Sequence, residues 1–156
     1  MRKRASWIIG CLAVAIATPA AAQDGRPGAD AERLPSVELP PELDRVLRDY
    51  ERAWSGSDPA ALSELFTRDG FALPLGRAPA RGADAIRAAY ENAGGPLRLR
   101  ALAWEAGDSV AWIVGAYGYR PDGVDAGKFV LALSRSPGGP WRIAADIDSP
   151  IRRSQP

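Results

Sequence analysis

The chain has no histidine and a single cysteine, Cys11, in 156 residues. Without an imidazole there is no His base, no His metal ligand and no His-centred triad. With one thiol there is no internal disulfide and no zinc–thiolate site. Lysine is scarce too: beyond the first few residues, Lys128 stands alone. Neither sign of charge dominates, with 20 Lys+Arg against 19 Asp+Glu and a formal charge of +1. The small basic groups, Arg98 with Arg100 and Arg152-Arg153, offer no electrostatic footprint for nucleic acid. What is present is ordinary for one globular domain: 46% hydrophobic and 25% charged residues. That balance excludes disordered and collagen-like chains and suffices for a core without disulfides or metal.

Residues 1–22 read as an export signal. Arg2, Lys3 and Arg4 form a positive start, Trp7 to Ala17 an apolar stretch, and Ala20-Ala21-Ala22 a small-residue cleavage pattern before Gln23. The apolar stretch is shorter than the roughly 20 residues that a bilayer span needs. The expectation is a secreted or periplasmic protein with no stable membrane insertion once the signal is gone. Ile8-Ile9-Gly10-Cys11 resembles a lipoprotein cleavage box, which would leave a lipidated Cys11; the stronger apolar run follows it, which favours simple removal. Cleavage also takes away three cations, so the processed chain is slightly acidic and has no cysteine.

Gln23 to Leu39 is rich in Gly, Pro, Ala and charge without a period, and reads as a flexible arm. A domain is expected over 40–149, followed by a tail over 150–156. From Glu42 to Ser55 the apolar residues Leu43, Val46, Leu47, Tyr50 and Trp54 share one helical face. Asp58-Pro59 caps a short second helix carrying Leu62, Leu65 and Phe66, and Phe71 to Leu75 is a short extended piece. Ala83 to about Asn92 reads as a third helix, stopped by Gly94-Gly95-Pro96. Thereafter the period becomes two, in strands near 97–104, 109–119, 127–135 and 141–147, separated by Gly- and Pro-containing turns. Three helices followed by an antiparallel meander make an α+β pattern. The second of these strands is apolar on both faces. Helices cover one face, and a second subunit is the expected cover for the other.

Four stretches in this order resemble a known family. Tyr50-Glu51-Arg52-Ala53-Trp54-Ser55-Gly56-Ser57-Asp58-Pro59-Ala60-Ala61-Leu62 with Leu65-Phe66 looks like the opening of the SnoaL-like proteins. Arg81-Gly82-Ala83-Asp84-Ala85-Ile86 resembles their third-helix entry, and Gly127-Lys128-Phe129-Val130-Leu131 and Trp141 to Ile147 their last two strands. The resemblance covers about residues 42–149. It implies the nuclear transport factor two-like cone: three N-terminal helices packed in a curved antiparallel sheet, often dimeric through the outer sheet face. Relatives of this kind include ketosteroid isomerases, polyketide cyclases and dehydratases, so the fold alone selects no reaction.

The candidate chemistry is correspondingly narrow. By the resemblance, Tyr50 matches a helix-one tyrosine that donates a hydrogen bond into the cavity of ketosteroid isomerases. The place of their carboxylate base falls at Pro74, and from Gly127 to Arg135 the ionisable residues are Lys128 and Arg135, so the buried acid is missing as well. Ketosteroid isomerase activity is therefore not expected. Asp146, between Ile143 and Ile147, is the better acid–base candidate because apolar neighbours would raise its pKa. Strict alternation puts Asp146 and Asp148 opposite Trp141 and Ile143. Trp54, Phe66, Tyr90, Trp112, Tyr117 and Lys128 are candidate ligand contacts. No cofactor or metal site is expected. The sequence points first to binding of a small apolar or aromatic molecule in the cone. The alternative is a cofactor-free lyase, cyclase or isomerase with Asp146 as acid–base and Tyr50 as oxyanion donor.

Overall fold

In the computed structural model, residues 33–120 and 123–151 are described. The expected export signal, Cys11, most of the expected arm and most of the expected tail lie outside them. The described residues from Leu34 onward form one unit. Two helices, α1 (Pro41–Ser55) and α2 (Pro59–Glu64), precede strands β1 (Phe66–Leu73) and β2 (Ala80–Arg81). Helix α3 (Ala83–Ala89) follows, then β3 (Arg98–Ala106), β4 (Val110–Gly118), β5 (Gly127–Ser134) and β6 (Arg142–Pro150). The six strands form one sheet in the order β2-β1-β6-β5-β4-β3.

Two expectations need correcting here. The helices are not all N-terminal to the sheet, because β1 and β2 come between α2 and α3. Nor is the sheet wholly antiparallel, since β1 lies parallel to β6. Phe66, read as the end of helix two, starts β1 instead. Helix α2 ends at Glu64, two residues before its apolar pattern does, and Phe66 is buried beside Ile143. Residues 34–39 also depart from a free arm: the Val37 amide donates to the Ala101 carbonyl, and Trp104 Nε1 donates to the Glu38 carbonyl. Strand β6 likewise runs on to Pro150, past the expected domain end.

Helix α1 is amphipathic, and its buried stripe of Leu43, Val46, Leu47, Tyr50 and Ala53 packs on the inner wall of the sheet. A polar clamp fixes its rotation. Buried Glu51 accepts a hydrogen bond from the Leu99 amide at 2.6 Å, while Arg48 donates to Glu51 and to the Leu99 carbonyl. Tyr50, next to Glu51, is thereby held toward the interior. Asp58 caps α2 by accepting from the Ala61 amide at 2.9 Å.

The inner wall is built from residues paired across strands. Ile113, Leu131 and Asp146 lie in one row and Gly115, Phe129 and Asp148 in the next. Side chains could not crowd this closely everywhere. A Cβ on Gly115 would come within 2.2 Å of the Phe129 ring, and one on Gly127 within 2.2 Å of the Tyr117 ring. Both rings therefore lie across a glycine of the neighbouring strand.

Candidate functional site

Strand β6 sets the site through an irregularity. Ala132 pairs with Ala145 but Leu133 pairs with Ile143, so Ala144 is an extra residue, a β-bulge. The bulge resets the alternation. Ile143, Asp146 and Asp148 all belong to the inner wall, in contrast to the strict alternation that separates them. Asp146 is 5% exposed and sits in the row of Leu131.

Asp146 is held by two phenols. Tyr50 from α1 donates to its Oδ2 at 3.0 Å, and Tyr90, just beyond α3, reaches the same oxygen at 3.5 Å. No hydrogen bond to Oδ1 forms among the described residues. Trp54, one turn beyond Tyr50, completes the array: it stacks on Tyr50 with centroids 6.3 Å apart and meets Tyr90 edge-on at 5.9 Å. Further along β6, Tyr117 donates to Asp148 Oδ2 at 3.4 Å. These groups border a cavity of about 210 Å³, with Leu97, Leu99, Phe129 and Leu131 as its apolar wall and Pro74, Arg77 and Tyr119 near its opening.

Burial dominates the electrostatics. Desolvation pushes the Asp146 carboxyl up to about 7, assisted by the charge of Asp148, while the phenol hydrogen bonds from Tyr50 and Tyr90 partly oppose the rise. Asp148 is raised as well, chiefly by burial, with the Tyr117 hydrogen bond opposing. Burial and the nearby carboxylates hold Tyr50, Tyr90 and Tyr117 well above the usual phenol range, so all three remain donors at neutral pH. No cation among the described residues pairs with Asp146, and an uncharged carboxylic acid and its carboxylate are both accessible near pH 7.

Of the sequence-predicted residues, Tyr50, Trp54, Tyr90, Tyr117 and Asp146 meet at this cavity. Phe66 does not line it and packs in the core. Trp112 and Lys128 are corrected to the outer side of the sheet: β4 turns Ala111 and Ile113 inward and β5 turns Phe129 inward, so their neighbours must point away. Trp112 is 38% exposed there. Asp148 and Arg77 border the cavity without having been candidates. Asp148 was within reach, since it shares Asp146's face by simple alternation. Arg77 carried no signal: its place depends on the β1–β2 loop, where it donates to the Ala89 carbonyl at the end of α3 at 2.6 Å. Among the described residues no cluster of three or more acids, Cys or His could hold a metal.

A curved sheet closing on helices around a cavity bordered by its last strand is an arrangement found in solved structures. A ketosteroid isomerase-like protein from Erwinia carotovora aligns with a TM-score of 0.58 at 20% identity, over 70% of this chain and 94% of that one. The chain has the nuclear transport factor two-like fold. An NTF2-like protein of unknown function from Shewanella oneidensis aligns on this fold with a TM-score of 0.55 at 20% identity, covering 69% of this chain and 95% of the other. An NTF2-like protein with a cystatin-like fold from Novosphingobium aromaticivorans gives 0.52 at 19% identity, over 72% and 82% of the two chains. No protein-family profile and no curated protein matches the chain. At these identities the likeness is one of fold, and the cone's chemistry has to be read from its own side chains.

Proposed function

We propose that this cone domain binds a small, largely apolar molecule carrying one carbonyl or hydroxyl group. The observation that carries the reading is the Asp146 carboxyl, buried at an apolar cavity wall with Oδ2 held by Tyr50 and Oδ1 left without a protein partner among the described residues. A wall of Leu and aromatic rings favours an apolar body, and one polar group fixes its orientation. The SnoaL-like motifs and the export signal extend the proposal to a secreted or periplasmic role. Binding of an apolar fluorescent probe should weaken about tenfold in Asp146→Leu and be lost when Leu131→Trp fills the cavity. Unchanged probe affinity in both variants contradicts the reading.

The same cluster favours a second step, cofactor-free proton transfer of the lyase, cyclase or isomerase kind. Asp146 as the neutral acid donates to a ligand oxygen. As the carboxylate it accepts a proton; that protonation releases the Tyr50 and Tyr90 hydroxyls from Oδ2 to donate to the developing negative charge. The three-residue pattern of ketosteroid isomerases does not support that activity here, since the base position is Pro74 and β5 carries no acid. Turnover of a candidate ketone or β-hydroxy ketone should depend on Asp146 and disappear in Asp146→Asn while binding persists.

Homodimerisation through the outer sheet face belongs to the same proposal. Phe71, Trp112, Val130 and Ile147 are exposed on β1, β4, β5 and β6, an apolar patch that a second copy would cover. Light scattering on a size-exclusion column tests it, with a monomeric mass at all concentrations as the contrary result.

A further inference from the structure

The exposed large apolar residues fall into distinct groups. Phe71, Trp112, Val130 and Ile147 belong to the outer sheet face, which the proposed dimer accounts for. Leu75, Tyr119, Val124 and Ile151 do not, and they are 44–68% exposed. All four lie at one end of the sheet. Leu75 follows β1 and Tyr119 follows β4, while Val124 precedes β5 and Ile151 follows β6. Hydrogen bonds tie this end together: Ala126 donates to the Tyr117 carbonyl and Ile151 to the Ala126 carbonyl. It is also the end at which the cavity opens, because Pro74, Arg77, Tyr119 and Asp148 border the cavity there. The mouth thus has an apolar rim that neither core packing nor the dimer face explains.

Among the described residues, the arginines Arg77 and Arg120 are exposed at this end. Among the acids of this end, Asp125 is engaged by Arg100 and Asp148 points into the cavity. Glu91, which follows Tyr90 in the sequence, is exposed. Apolar side chains with a tyrosine, flanked by arginines, match the chemistry of an anionic lipid surface: apolar groups enter the headgroup boundary and guanidinium groups pair with phosphate. A protein partner would be met by shape and specific pairing, for which this rim of four separate segments offers no continuous groove.

We propose that the cavity mouth docks on anionic membrane lipid through Leu75, Tyr119, Val124 and Ile151 with Arg77 and Arg120, so that an apolar ligand passes between bilayer and cone. The delivery role rests on the reading of the cavity as an apolar-ligand site; the docking itself does not. No helix among the described residues is long and apolar enough to cross a membrane, and the contact envisaged is peripheral.

The test is co-sedimentation of the exported, processed protein with vesicles of phosphatidylcholine, with and without phosphatidylglycerol. Expected are association with the anionic vesicles only, loss of at least tenfold in affinity for the double variant Val124→Glu, Ile151→Glu, and a loss of about fivefold for Arg120→Gln. Val110→Ser, at the start of β4 and so at the opposite end of the sheet, should leave vesicle affinity unchanged. No association with anionic vesicles, equal association with neutral ones, or indifference to the double variant overturns the docking. Apolar-probe binding in vesicle-free buffer reports the cavity separately. The rim variants should keep it, and its absence in the parent protein overturns the delivery role together with the cavity reading.

Discussion

The two sides of β6 invert the usual rule of protein interiors. Its inner side presents Asp146 and Asp148 to a cavity beside Ile143, while its outer side leaves Ile147 half exposed. Among the described residues no cation compensates Asp146, so its charged form is penalised by burial. Ile147 and its outer neighbours forgo apolar burial that the same residues inside would gain, about 25 cal/mol for each Å². Neither side is arranged for the stability of an isolated chain. The inner side suits a ligand with a polar end, and the outer side suits an apolar partner surface.

Ways to break this comparison differ in size. The largest effect concerns the charge of Asp146. Its carboxyl ionises near 4 in an unfolded chain and near 7 in the folded one. Between those values the folded state holds the proton more tightly, so stability should fall as pH rises from about 4 to about 7 and level off above. The drop is on the order of 4 kcal/mol. Denaturant melts across pH should show that slope, and Asp146→Asn should flatten it. Next comes Ile143→Ala on the inner wall, fully buried, with an expected loss of about 3 kcal/mol. Val130→Ala outside should cost less than about 1 kcal/mol in the same melts.

Smaller effects sharpen the picture. Tyr50→Phe removes the shorter hydrogen bond to Asp146 and should cost about 1 kcal/mol, more above pH 7 than below, because that bond favours the carboxylate. Trp112→Ser should change monomer stability by less than about 0.5 kcal/mol. Its effect should appear instead in the association constant measured by sedimentation.

Much of this was legible in the sequence, for physical reasons that also mark where legibility ends. Helical spacing in α1 put Tyr50 and Trp54 on one face, where both border the cavity, and the period of two revealed β3 to β6. The bulge at Ala144 was not visible, since two alanines fit either face of a strand and the extra residue appears only in the pairing with Leu133. The parallel contact of β1 with β6 joins residues far apart in sequence and has no local signature. Trp112 was misassigned because β4 is apolar on both faces, so hydrophobicity could not say which side is inner. Lys128 was a different case: it alternates with Phe129 and Leu131, and the pattern already put it outside.

Everything proposed for the cavity turns on Asp146 carrying a neutral-range carboxyl at its wall. Carbon-13 NMR of the aspartate carboxyls, with the Asp146 signal assigned by its absence in Asp146→Asn, measures this directly. The expected midpoint is about 7, rising further in Tyr50→Phe. A midpoint near 4, unmoved by that substitution, would contradict the claim.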